Sequence, residues 1–371
     1  MARALSLVAS LLVASLLQLP TMLTRSPVST HKTADNPWVH GALSDVVLGW
    51  CWLPIAIFMH SMESSVTRTQ ATMVVIFLIS FAHQPLTLGL VYGDRQQMSA
   101  HRRLYTWAPL ATVVLVAIGV NVSLTLVGLI AGLWNAEHTL MQRYGVLRIY
   151  GRKAGDDHGR IEKPMLVLWL VTALLYMGAF VDLPRMAARL GIDQTNTRSV
   201  NLLGAVSGIA VALFWAAAAA SIMLGFIWVR AELRSPASSA QLAKTIYAAS
   251  TLGLVVAVMV DPIAGIAGYV AAHALEYFGV VHSSLRRRAL TGDVSAVSVA
   301  SSTPKRRVGL YLAYFLAVGV LIAWSIHVWG GRLYGLFILL FGALHILYDG
   351  FVWKLRKPAL AASLGISTLS R

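Results

Sequence analysis

Four histidines, His83, His138, His273 and His345, stand inside otherwise apolar stretches of the sequence. Three of them are followed, one helical turn later, by a group that can share a proton or bind a cation: His138-Thr-Leu-Met-Gln142, His273-Ala-Leu-Glu276 and His345-Ile-Leu-Tyr-Asp349. Spacings of three and four residues put both side chains on one face of a helix. Imidazole suits zinc, copper and iron, and a carboxylate beside it is either a ligand or the partner of the ring's other nitrogen. The pattern predicts a metal centre with His83, His138, His273 and His345 as ligands. Glu276 and Asp349 are then the catalytic carboxylates, as a fifth ligand or as support for the imidazoles. Tyr144, Tyr277 and Tyr348 either orient bound oxygen or substrate, or anchor helices at the membrane interface.

Such a centre requires the four histidines to lie at one depth. The first basic residue of the loop that follows each one lies 9 to 13 positions on, at Arg95, Arg148, Arg286 and Lys354. At 1.5 Å per residue that is roughly 14 to 20 Å inside a common boundary. A loose internal repeat, Ile130-Ala-Gly before His138 and Ile266-Ala-Gly before His273, adds to the regularity. The competing reading is a polar belt that only hydrogen-bonds helices to one another.

The elements that carry these residues read as membrane helices. Of the 371 residues, 57% are hydrophobic and 12% charged, about half the charge needed to cover a soluble fold. Eleven apolar stretches can span a bilayer: 4–24, 38–61, 71–92, 104–120, 122–147, 164–183, 200–229, 243–260, 262–285, 308–329 and 333–353. Asn121 and Asp261-Pro262 mark turns between adjoining spans. Asp45 and Asp182 reach span ends, whereas Glu137, Glu276 and Asp349 lie within spans, where an ionisable group needs a partner or a purpose. His60, His282 and His327 are spare candidates, and His31, His40, His101 and His158 belong to loops or interfaces.

The net charge of +15 resides in short runs between spans, a pattern of membrane topology and not of nucleic-acid binding. With eleven spans, 23 basic residues fall on one face and 6 on the other. The basic face is expected to be cytoplasmic, which puts the N-terminus outside and the C-terminus inside, in a bacterial inner (plasma) membrane. The expected fold class is all-α, a polytopic transmembrane helical bundle forming one integral domain over 1–371. It carries a basic, serine-rich cytoplasmic loop at 283–307 and a cytoplasmic tail at 354–371.

The single cysteine, Cys51, excludes an internal disulfide and any cysteine-based zinc or iron–sulfur site. His-Glu-x-x-His, the histidine boxes of membrane desaturases and a phosphate loop are absent, and Asp156-Asp157 is too little for a diphosphate site. An all-membrane chain with single histidines on several helices resembles the bacterial Brp/Blh-type carotenoid dioxygenases, through its architecture and through His83, His138, His273 and His345. That resemblance implies iron, with zinc or copper as alternatives, and an oxygenase acting on an apolar, membrane-soluble lipid, isoprenoid or carotenoid. A metal-ion or proton transporter using the same belt, or a cofactor-free scaffold subunit, are the rival functions.

Overall fold

The computed structural model describes residues 37–62, 65–122, 124–189, 197–290, 302–329 and 331–353. The expected first span, the middle of the 283–307 loop and the 354–371 tail lie outside the described residues. The described chain is helical, without strands: α1 (Ala42–Trp50), α2 (Trp52–Ser61), α3 (Val66–Tyr92), α4 (Arg95–Ala100), α5 (Arg102–Val122), α6 (Leu124–Ala154), α7 (Gly159–Phe180), α8 (Leu183–Arg189), α9 (Thr197–Arg234), α10 (Ser239–Val260), α11 (Pro262–Leu290), α12 (Pro304–Trp329) and α13 (Gly331–Val352).

Nine segments among the described residues are long and apolar enough to cross a membrane, and nine of the expected spans match them. From Leu124 on, the stretch expected at 122–147 forms one helix, α6, but Asn135, Glu137, His138, Gln142 and Arg143 make it too polar to be counted with the others. Asp261-Pro262 is the expected turn: Asp261 is extended, and its Oδ1 accepts from the Ala264 amide at the start of α11 (3.1 Å). On α12, Leu312, Leu316, Val320 and Trp324 repeat every fourth residue and are all exposed. Such a ridge of large apolar side chains matches a lipid environment.

The chain forms two compact units, one of residues 1–72 with 142–272 and one of 73–141 with 273–371. In the first, α10 packs against α7 and α1, and α9 runs along α7. Close approach there depends on small residues. A Cβ on Gly49 would lie 3.1 Å from the Tyr247 ring, and one on Gly253 would lie 3.1 Å from Trp52. Pro54 lacks the N–H that would bond the Trp50 carbonyl, which accounts for the break between α1 and α2 at Cys51. Arg143, within the stretch expected to span at 122–147, is fully buried. Its guanidinium donates to the Gly49 carbonyl (2.9 Å) and Thr251 Oγ1 (3.1 Å) and lies over the Tyr247 ring. Asp45 is buried at the start of α1 and accepts from the Val39 amide and the Tyr150 hydroxyl.

In the second unit α13 packs against α12 and α5. Pro85 stands within α3, two residues beyond His83, and withholds a donor from the Phe81 carbonyl. The neighbouring Ala82 carbonyl accepts from the Tyr314 hydroxyl of α12. Outside bonds of this kind keep a proline-containing helix continuous in an apolar setting.

Candidate metal centre

In the second unit α3, α6, α11 and α13 each contribute one histidine, and all four imidazoles are buried, with 0 to 8% of their surface exposed. Their Nε2 atoms converge. His83 Nε2 is 3.0 Å from His273 Nε2 and 3.2 Å from His345 Nε2, and His345 Nε2 is 3.0 Å from His138 Nε2. Asp349 Oδ2 completes the group, 3.7 Å from the Nε2 of both His138 and His345. Two ligand sets overlap at His345: His83 with His273 and His345, and His138 with His345 and Asp349.

Each Nε2 has either one proton or one in-plane lone pair. The two central nitrogens, on His83 and His345, each have two imidazole neighbours, so hydrogen bonding alone forces a single proton or lone pair to be shared. A cation in either ligand set accepts the lone pairs of its three members at once. Ligand nitrogens about 2.0 to 2.1 Å from a tetrahedral metal are roughly 3.3 Å apart, close to the separations found here. The donor set therefore fits a transition metal, with imidazoles in their neutral, ligating form.

Behind the imidazoles lies a network that Thr87, one turn beyond His83, connects. Thr87 Oγ1 is 2.7 Å from His345 Nδ1, 2.5 Å from the Tyr277 hydroxyl and 3.1 Å from Asp349 Oδ1. Tyr277 also donates to Asp349 Oδ1 (3.1 Å) and accepts from Trp353 Nε1 (3.4 Å). Partners of this sort orient a ligand ring and tune its basicity.

The structure thus brings together His83, His138, His273, His345 and Asp349, with Tyr277 behind them. Glu276 is buried on α11 but is not among the groups whose ligand atoms converge; its neighbour Tyr277 faces the network. Glu137 is exposed while the adjacent His138 is buried. Tyr348 hydrogen-bonds the Tyr92 hydroxyl (2.9 Å), and Tyr144 bonds the Gly159 carbonyl within the first unit (3.5 Å). Sequence reasoning missed Thr87 and Trp353. The signal for Thr87 was present: His83-Gln-Pro-Leu-Thr87 and His273-Ala-Leu-Glu-Tyr277 repeat the four-residue step of His345 and Asp349.

A second polar cluster lies in the first unit. Asp156, His158, Glu162 and Glu232 also offer ligand atoms within 4.8 Å of one another. Here a lysine occupies the cluster: the Lys244 ammonium, fully buried, is 2.7 Å from Asp156, 2.5 Å from Glu162 and 2.5 Å from Glu232. Arg148 adds bonds to Asp156 (2.9 Å) and Glu162 (2.7 Å), and His158 Nδ1 meets Glu232 Oε1 at 2.7 Å. Lys244, at the start of the span expected at 243–260, lies in α10 and belongs to this cluster.

Local structure explains how the turn delivers Asp156. Gly155 adopts φ +76° and ends α6 with the Asp156 amide bonded to the Gly151 carbonyl and the Gly155 amide to that of Arg152, a glycine-terminated helix end. A Cβ on Gly151 would lie 2.6 Å from the Arg148 guanidinium, so glycine leaves room for that cation. Burial raises the pKa of the Asp156 carboxyl, and hydrogen bonds from Lys244 and Arg148 more than reverse this, holding it below its ordinary value.

No protein-family model, curated protein or solved structure matches this chain.

Proposed function

We propose that this chain is an intramembrane multi-histidine metalloenzyme, a non-haem iron oxygenase or oxidoreductase acting on an apolar lipid, isoprenoid or carotenoid. The observation that carries the reading is the meeting of four buried Nε2 atoms and one carboxylate oxygen in two ligand sets that share His345. His83, His138, His273 and His345 would hold the metal, and iron bound there supplies Lewis-acid and one-electron chemistry. Asp349 offsets part of the cation's charge through Oδ2, while its Oδ1 is held by Thr87 and Tyr277. Burial of the imidazoles on apolar helices keeps bulk water away and favours a substrate that arrives through lipid.

Transport of a metal ion or proton is the rival reading. Transporter sites favour helices interrupted at the midplane. The helices α3, α6, α11 and α13 run without a break through their histidines, which supports a resident metal over a transient one. On the same proposal the basic loops, including Arg286 to Arg307, face the cytoplasm of a bacterial inner membrane. External labelling of a cysteine introduced at Ser302 in intact cells would reverse that orientation.

The decisive experiment is metal content per chain, by mass spectrometry, on detergent-purified protein. About one iron per chain is the expected result. A metal-free wild type that still turns over an apolar substrate would overturn the oxygenase reading.

A further inference from the structure

We propose that Thr87 is a positioning residue that fixes His345 as the Nδ1–H tautomer and thereby turns its Nε2 lone pair toward the other histidines. The inference deepens the metal-centre reading and rests on it for its consequence in affinity, but the tautomer itself is a property of the metal-free chain. Five contacts join His345 Nδ1, Thr87, Tyr277, Asp349 Oδ1 and Trp353. With the proton on Nδ1 and Asp349 ionised, four donors serve four of the five: His345 donates to Thr87, Thr87 and Tyr277 donate to the carboxylate, and the Trp353 indole donates to Tyr277, which leaves only the Thr87–Tyr277 oxygen contact without a proton. With the proton on Nε2 only three donors remain, and Thr87 must give its single proton to either His345 or Asp349. Burying an unmet carboxylate contact is costly, so the network selects the first arrangement.

The consequence is directional. A ligating His commonly donates its other ring N–H to a carboxylate or carbonyl; here one hydroxyl stands between the ring and Asp349 and passes the carboxylate's pull on to it. Thr87 is fully buried, so water has no surface route by which to replace its hydroxyl. The neighbouring contacts leave its oxygen placed to accept from Nδ1 and donate to Oδ1, a pairing that serine can reproduce and valine cannot.

The test uses the full-length chain in lipid, with nitrogen-15-labelled histidine and with Co²⁺ as the metal probe. In the metal-free wild type the His345 ring, assigned by its loss in His345→Gln, should show the Nδ1–H tautomer. Thr87→Ser should keep both this tautomer and the wild-type affinity for Co²⁺. Thr87→Val should move His345 toward the Nε2–H form and weaken Co²⁺ retention about 10-fold to 100-fold at unchanged stoichiometry, with Thr87→Ala as a second hydroxyl-free variant should valine not assemble. An Nε2–H tautomer in the wild type, or an Nδ1–H tautomer that persists without the Thr87 hydroxyl, overturns the proposal whatever the metal does. Failure of the wild type to bind Co²⁺ while holding the Nδ1–H tautomer would instead sink the metal-centre reading and leave the role of Thr87 standing.

Discussion

The two polar clusters solve the same electrostatic problem in opposite ways. In the first unit three carboxylates and His158 have metal-ligand spacing, yet the chain supplies its own cation: Lys244 bonds all three acids and Arg148 bonds two of them. In the second unit the groups that meet are imidazoles with one carboxylate, and the bonds described among them involve imidazole, hydroxyl, indole and carboxylate groups. Ligand spacing alone does not separate a salt-bridge network from a metal site. What separates them is whether a covalently attached ammonium already takes the place of the cation.

Changes that exchange or remove that cation should break the comparison most sharply. Lys244→Met would leave Asp156, Glu162 and Glu232 short of one buried positive charge, and breaking such a group costs about 3 to 5 kcal/mol. A large fall in thermal unfolding temperature is expected, partly restored by added Mn²⁺ because three carboxylates suit a hard divalent ion. An unchanged unfolding temperature would refute the built-in-cation account.

The mirror experiment in the second unit should spare the fold and remove the metal. His345→Ala, the one substitution common to both ligand sets, should abolish stoichiometric metal while lowering stability by only about 0.6 kcal/mol per lost interhelical hydrogen bond. His138→Ala and His273→Ala should deplete metal less. Asp349→Asn should weaken retention about 10-fold to 100-fold if the carboxylate supports the ligands without being one. Metal that survives the loss of His345 and His273 together would locate the site elsewhere.

Acid should affect the first cluster in a defined window. The folded Asp156 carboxyl titrates below its unfolded value of about 4, so its ion pairs stabilise fully above that pH. Their contribution is lost as pH falls through the lower folded value. Unfolding temperatures of wild type and Asp156→Asn, followed from pH 6 to pH 2, should converge at the acid end; parallel curves would contradict the depressed pKa. The smallest effect is expected at Arg287, a charge in the basic run of the 283–307 stretch. Arg287→Ala removes at most about 1 kcal/mol of attraction to anionic lipid and should leave metal content and unfolding temperature unchanged.

Hydropathy alone found the nine membrane-length helices among the described residues, because an apolar run long enough to span lipid needs only its own backbone to satisfy its hydrogen bonds; the Asp-Pro pair marked the turn at Asp261. Helical spacing and matched depth also pointed to His83, His138, His273, His345 and Asp349, since both follow from helical rise and turn, but the same reasoning named Glu276, which lies outside both ligand sets. Partner choice was not readable. Thr87 looks like any mid-helix threonine until α13 brings His345 Nδ1 and Asp349 to it, and Asp156, set aside as part of a short acidic pair, gains meaning only beside Glu162, Glu232 and Lys244. A charge's neighbours up to 88 residues away decide whether it is a topology signal or a buried cation. Sequence fixes which face of a helix a side chain occupies, but only packing of one helix on another determines what that face meets.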